Sequence, residues 1–164
     1  EKIYKGGIRF DFKNTKFEIS HSYNMKYLWE DNDTNYIYEP IREKFHQTNF
    51  LLDFKIPFND KLNLFAEIEK NIFNKEIPSL PEDRNNIGFE FKNKNIKLKI
   101  WNSFLGKRHF IKEDLKGFST LNFEINYNGK IEIGFGIYNI LDEKYEIAPN
   151  YPGEKRKFLF YIGF

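Results

Sequence analysis

Hydrophobic residues recur at every second position through most of the chain. From Lys130 onward, Ile131, Ile133, Phe135 and Ile137 fall on one side, with Glu132, Gly134, Gly136 and Tyr138 on the other. A period of two sends alternate side chains to opposite faces of a strand. The same alternation holds for Leu121, Phe123, Ile125 and Tyr127, for Ile96, Leu98 and Ile100, and for Phe50, Leu52, Phe54, Ile56 and Phe58. It holds again at Ile8–Phe12, Phe17–Ile19, Leu62–Ile68, Ile87–Phe91 and Phe158–Phe164. This pattern predicts about nine strands and little or no helix. Tight connections are expected at Lys13-Asn14-Thr15, Asn59-Asp60-Lys61, Asn93-Lys94-Asn95 and Asn128-Gly129-Lys130, where Asn, Asp and Gly tolerate positive φ. Between them lie long polar stretches, about 31–47, 74–84, 106–116 and 142–156. Short and long connections alternate, so an up-and-down sheet would gather every short turn at one end and every long loop at the other. No composition break divides residues 1–164, which read as one domain.

Composition narrows the class. The chain has 164 residues, of which 19% are aromatic, ample apolar surface to offset the entropy of ordering. Lys and Arg total 26 against 24 Asp and Glu, a balance that argues against a dedicated nucleic-acid binder. With no Cys, disulfide scaffolds, thiolate metal sites and cysteine nucleophiles are excluded. No apolar run approaches the ~20 residues of a spanning helix, but barrel strands hide their hydrophobicity in alternation.

The polar faces carry Arg9, Asp11, Glu18, Asp53, Lys55, Glu67, Glu69, Glu90, Lys92, Lys97, Lys99, Glu124 and Glu132. Mixed charge of this kind suits a watery bore or an ordinary solvated surface, and a soluble sandwich or small barrel alternates too. Four features favour lipid on the apolar side. Strands of about nine to eleven residues match a tilted membrane span. One end has short turns and the other long loops. Aromatics gather near strand ends, with Tyr27, Trp29, Tyr36 and Tyr38 on the long-loop side and Phe12, Phe58 and Tyr127 on the short-turn side, where headgroup-level rings belong. Finally, Phe158, Phe160, Ile162 and Phe164 alternate to the last residue, where soluble domains usually fray.

The stretch Gly136-Ile137-Tyr138-Asn139-Ile140-Leu141-Asp142-Glu143-Lys144-Tyr145, then Tyr151-Pro152-Gly153-Glu154-Lys155-Arg156 and the strand to Phe164, resembles the end of the TonB-dependent outer-membrane receptors. In that family a penultimate strand ends in an Asn-Leu-Phe-Asp-like motif followed by Lys-Tyr. A Pro-Gly loop with Arg then leads to a final strand ending in Phe. Here Asn139-Ile140-Leu141-Asp142 departs by Ile for Leu and Leu for Phe. Glu39-Pro40-Ile41-Arg42 and Lys5-Gly6-Gly7-Ile8-Arg9-Phe10 look like less specific features of the same family. The resemblance implies an antiparallel up-and-down transmembrane β-barrel segment, about nine strands of a larger barrel, in the cell outer membrane. It implies import of a scarce nutrient of the iron-chelate, haem or cobalamin class, and no enzyme activity. Expected partners are outer-membrane lipid, the remaining barrel strands, a plug domain, the TonB energy-coupling system acting through that plug, and the barrel-assembly machinery. That machinery would read the strand bearing Phe158, Phe160, Ile162 and Phe164. No cofactor is implied. The plug is not in this stretch, so these residues alone are not expected to transport. A soluble β-barrel binding a hydrophobic ligand inside is the rival reading, and it requires the aromatic face to point inward.

Arg84, Arg108, His109 and Lys112, with Lys107 nearby, could form a basic, ligand-facing rim on the outer loops for an anionic chelate. Solvated loop charge would leave the same pattern. Asp31, Asp33 and Asn35 begin a calcium-loop spacing, but Tyr36 stands where Gly is wanted and Arg42 where Glu is wanted. His21, His46 and His109 are far apart in sequence and read as surface histidines, with haem or metal capture by His46 or His109 the alternative. Trp101 is expected to face the bore. No catalytic triad, phosphate loop or acid–base carboxylate pair stands out.

Overall fold

The structure, a computed structural model, describes residues 2–31, 38–110 and 113–163. The side chains of residues 2, 26–31 and 38–41 are outside that description. Phe164, Lys112, Asp33, Asn35 and Tyr36 lie outside the described residues, as do the side chains of Tyr27, Trp29, Asp31 and Tyr38.

Among the described residues there is no helix. Nine strands make one antiparallel sheet in chain order: β1 (Lys2–Phe12), β2 (Thr15–Asp31), β3 (Tyr38–Pro57), β4 (Leu62–Phe73), β5 (Asp83–Asn93), β6 (Ile96–Leu105), β7 (Phe118–Asn128), β8 (Glu132–Tyr138) and, after a two-strand outer ribbon of β9 (Glu146–Ala148) and β10 (Tyr151–Pro152), β11 (Lys157–Gly163). Each strand pairs with its sequence neighbour, β11 taking the place beside β8. The four short connections lie at one end, and the long connections 74–82, 106–117 and 139–156 lie with the β2–β3 connection at the other, the ordering that the sequence pattern predicts.

Two details differ from the expectation. The stretch 31–47 is not a long loop, because β2 runs to Asp31 and β3 begins at Tyr38, the two strands being 17 and 20 residues long respectively. The alternation weakens there because polar residues enter both faces: Lys44, His46 and Thr48 on one side, Glu43 and Gln47 beside the buried Phe45 on the other. Once a strand has left the apolar layer its outward face meets water, so nothing demands an apolar residue at every second position. The second difference concerns the turns. The left-handed residues at the short-turn end are Lys13 (φ 50°) and Lys94 (φ 44°), whereas no described glycine has positive φ.

The register fixes which face is which. Every charged residue of the polar set above lies on one side of the sheet. That side is concave, because its side chains meet across intervening strands. Lys55 on β3 bonds Glu90 on β5, the Lys99 ammonium on β6 sits 4.2 Å from the Phe65 ring centroid on β4, and Tyr161 on β11 donates to Asn126 on β7 at 2.8 Å. Two glycines open the space for this. A methyl group at Gly88 would overlap Trp101, and one at Gly134 would overlap the Tyr161 ring. Polar residues on this side are buried by their neighbours, among them Ser20, Asn24, Asn71, Glu90 and Asn122.

The convex side is apolar and bare. Phe10 is 62% exposed, Phe158 63% and Phe160 62%. On β3 the belt from Phe50 to Ile56 extends about 20 Å along the strand at ~3.3 Å per residue, and Phe58 lies beyond it. This approaches the ~25 Å apolar band of a membrane barrel. Phe12, Phe58 and Tyr127 edge the belt at the short-turn end, all exposed. A water-soluble barrel would place these rows inside, so the arrangement is the reverse of the rival reading. The small packed core lies on the concave side, where Ile77 from the 74–82 loop is 1% exposed against Phe45, with Phe73 and Leu80 around them.

Candidate functional site

The long connections 74–82, 106–117 and 139–156 do not hang free. They interlock above the rim. Ser79 donates its backbone N–H to the His109 carbonyl at 2.9 Å, and Arg108 and Leu115 exchange backbone bonds of 3.1 and 3.0 Å, closing the 106–117 loop on itself. The Arg108 guanidinium reaches across to the third loop, donating to the Ile147 and Glu146 carbonyls at 2.7 Å each. It also lies 5.4 Å from the Phe118 ring, which stacks on Tyr145 with centroids 3.8 Å apart. Carbonyl oxygens have partial negative charge, so a buried cation with two of them and an aromatic face is partly compensated. Burial pushes the guanidinium below its ordinary value, with Glu146 and Tyr145 opposing, but an arginine remains charged throughout the physiological range.

His109 occupies a carboxylate bridge. Its Nδ1 is 2.8 Å from an Asp114 oxygen and its Nε2 is 3.4 Å from Glu82. Lys107 also bonds Asp114, at 2.6 Å. That bond raises the Lys107 ammonium and, with help from His109, holds the Asp114 carboxyl below its usual range. Arg84, by contrast, is exposed at the upper end of the concave face, between Glu69 and Leu105 in register. The predicted basic rim is therefore not one patch. Arg108 is a buried clamp between loops, Lys107 is ion-paired with Asp114, His109 is bonded to carboxylates, and Arg84 alone of the described members presents an exposed guanidinium on the bore side.

The motif 139–142 is a second clamp. Asn139 takes φ 52° and Asp142 φ 54°. The Asn139 side chain donates to the carbonyls of Glu143 (2.9 Å) and Glu154 (3.1 Å) and accepts from the Glu143 N–H at 2.8 Å. Its own N–H donates to the Asn122 side-chain oxygen at 3.0 Å, and Asp142 accepts from the Arg156 N–H at 2.8 Å. One buried amide thus ties the end of β8 to β7 and to both arms of the last loop. Asn122 was not singled out in the sequence. Its only trace there is an amide on the polar side of a strand, alongside Thr120, Glu124 and Asn126.

Below the loops opens a cavity of about 310 Å³, lined in part by Trp101, Ser103, Asn122, Tyr138 and Tyr145. Trp101 faces the bore as expected. Its indole N–H donates to Ser103 Oγ at 3.0 Å and its ring meets Tyr138 edge-on at 6.1 Å. On the terminal strand, Phe158, Phe160 and Ile162 share the convex face and pair in register with Ile137, Phe135 and Ile133. Among the described residues, no group of three or more His, Cys, Asp or Glu side chains could hold a metal ion.

A one-layer antiparallel sheet with an apolar convex belt, a charged concave face and loops gathered at one end is a transmembrane β-barrel segment. No family model and no curated protein sequence matches the chain. Solved structures do match in fold. The ferric enterobactin receptor PfeA of Pseudomonas aeruginosa, a mutant in complex with enterobactin, superposes with a TM-score of 0.68 at 14% identity, over 98% of this chain and 30% of that one. The siderophore receptor PiuA of Acinetobacter baumannii gives 0.64 at 13% identity, over 98% and 28%. The copper transporter OprC gives 0.72 at 10% identity, over 98% and 30%. The chain thus has the fold of the barrel part of TonB-dependent receptors and spans about 30% of the length of the receptors it matches.

Proposed function

We propose that this chain is the C-terminal barrel portion of a TonB-dependent receptor in the cell outer membrane. The receptor would import a scarce nutrient of the iron-chelate, haem or cobalamin class. The observation that carries the reading is the two-faced curved sheet, greasy outside and charged inside, aligned over nearly its whole length with siderophore and copper receptors. In this reading the segment contributes wall, bore surface and outer loops. The free edges of β1 and β11 pair with further strands to close the ring, and a plug coupled to TonB occupies the bore. The loops capture ligand, and plug rearrangement, driven from the inner membrane, admits it. Arg84 offers a charge to an anionic ligand, with His109 on the loop above it. Arg108 acts on capture by holding the loops in place. The alternation of Phe158, Phe160, Ile162 and Phe164 serves as the assembly signal.

The test uses the full-length protein in its own cells. It should fractionate with the outer membrane, run with heat-modifiable mobility, and lose that mobility when Phe164 is deleted. Disrupting the gene should abolish uptake of one of the three nutrient classes under starvation. Arg84→Ala should reduce uptake of an anionic ligand several-fold with normal surface abundance. Recovery in the soluble fraction, or full uptake of all three classes in the disrupted strain, overturns the proposal.

A further inference from the structure

His21 and His46, 25 residues apart in sequence, meet on the convex face of β2 and β3. The strands pair Tyr23 with His46 and His21 with Thr48, so the two imidazoles are diagonal neighbours. His21 Nε2 lies 3.2 Å from His46 Nδ1, with ring centroids 5.4 Å apart. Both side chains are exposed. His21, paired with Thr48, stands in the first row past Ile19 and Phe50, and His46, paired with Tyr23, in the next row out. Among the described residues neither is bonded to a carboxylate, whereas His109 meets two.

The structure assigns to this pair a binding site for a divalent transition cation of the imidazole-preferring kind: zinc, copper(II) or nickel. The geometry is the reason. Imidazole nitrogens bind such ions at about 2.0–2.1 Å, and two nitrogens 3.2 Å apart then subtend roughly 100° at the ion, close to a tetrahedral angle. In the contact one of the two nitrogens carries a proton; with His46 in its Nε2–H tautomer both facing nitrogens present lone pairs, and each ring then turns so that its lone pair points roughly 40° off the N–N line toward the ion. The outer shell is already present. His21 Nδ1 is 3.0 Å from Thr48 Oγ1, the kind of bond that fixes tautomer and orientation and leaves Nε2 free to ligate. The backbone of His46 is held on both flanks, by the ladder to Tyr23 and by Asn74, which accepts the His46 N–H at 2.9 Å and donates to its carbonyl at 3.2 Å. Water completes the coordination on the exposed side. Lys44 is the next residue along that face, and its charge weakens but does not block the site. A bound ion would staple the two longest strands together where they leave the apolar belt.

The test is metal binding to the full-length protein, tag-free and in detergent, with copper(II) and zinc as the probes. One copper(II) per chain should give an electron paramagnetic resonance signal with coupling to two nitrogens. His21→Ala and His46→Ala should each lower copper(II) affinity at least tenfold and remove the two-nitrogen signature. His109→Ala should leave both unchanged, Thr48→Val should weaken binding about tenfold, and Lys44→Ala should tighten it. Zinc should raise the melting temperature of the wild type and not of the double variant His21→Ala/His46→Ala. Heat-modifiable mobility of each variant confirms that the barrel has formed. Wild-type affinity in both single alanine variants, or a signal unaffected by them, overturns the assignment.

Discussion

The two ends of the sheet are built by different means. At the short-turn end the chain reverses in a few residues and the strands themselves hold the geometry. The turns at Lys13 and Lys94 place lysine in left-handed backbone, and few side chains brace them. At the long-loop end the strands stop and side chains take over. Arg108 and Asn139 each bond backbone carbonyls of a segment far along the chain. Local sequence can specify a hairpin, whereas an interlocked set of loops needs a few buried polar groups that bond segments far apart in the chain. The first end should therefore tolerate substitution and the second should fail at single residues.

The largest effect should come at Asn139. Removing its amide strands buried carbonyls and leaves a non-glycine residue at φ 52° without a side chain to stabilise it, for a loss of about 3 kcal/mol. Asn139→Ala should lower the unfolding temperature of the barrel and expose residues 143–156 to protease. If protection is unchanged, the clamp is not what holds that loop. Arg108→Ala should come next, at about 2 kcal/mol for two charge-assisted bonds. It should free the third loop without shifting heat-modifiable mobility, since no spanning strand depends on it. Equal damage to sheet and loops would erase the distinction between the ends.

At the other end, Lys13→Gly or Lys94→Gly should stabilise or leave stability unchanged, by no more than about 1 kcal/mol, because glycine enters left-handed backbone without strain. A clear destabilisation would show that the lysine side chains do more than solvate. The smallest effect concerns pH. Asp114 is held below its ordinary value by Lys107 and His109. Its contribution is thus present above the ordinary carboxylate value and lost as pH falls through the depressed native one, below about pH 4. Both Lys107 and Asp114 are solvent-facing, so loop protection against protease should change little between pH 5 and 8. A large change inside that window would point to a different group.

Most of the sheet could be read from the sequence because each spanning strand separates lipid from water, and that contrast is written as alternation. The nine strands, the two faces and the ordering of turns and loops follow from it. The upper halves of β2 and β3 could not be read, since a strand whose outward face meets water instead of lipid has no such contrast. The loop clamps were half legible. Asn139 and Asp142 stood out as a motif with no stated mechanism, and the structure supplies one in their left-handed backbone and four-way hydrogen bonding. Arg108 looked like surface charge because nothing local announces that its partners are carbonyls 38 and 39 residues away. The His21–His46 meeting was hidden for a related reason, since it depends on the register of two strands beyond the point where alternation can set it.

The bonding among the three outer connections bears on engineering. A segment cut from one receptor and grafted singly into another would arrive without the carbonyls, rings and carboxylates that its neighbours expect. Residues 74–82, 106–117 and 139–156 should instead be exchanged as one cassette. A substitution made in any one of them would then be felt in the other two.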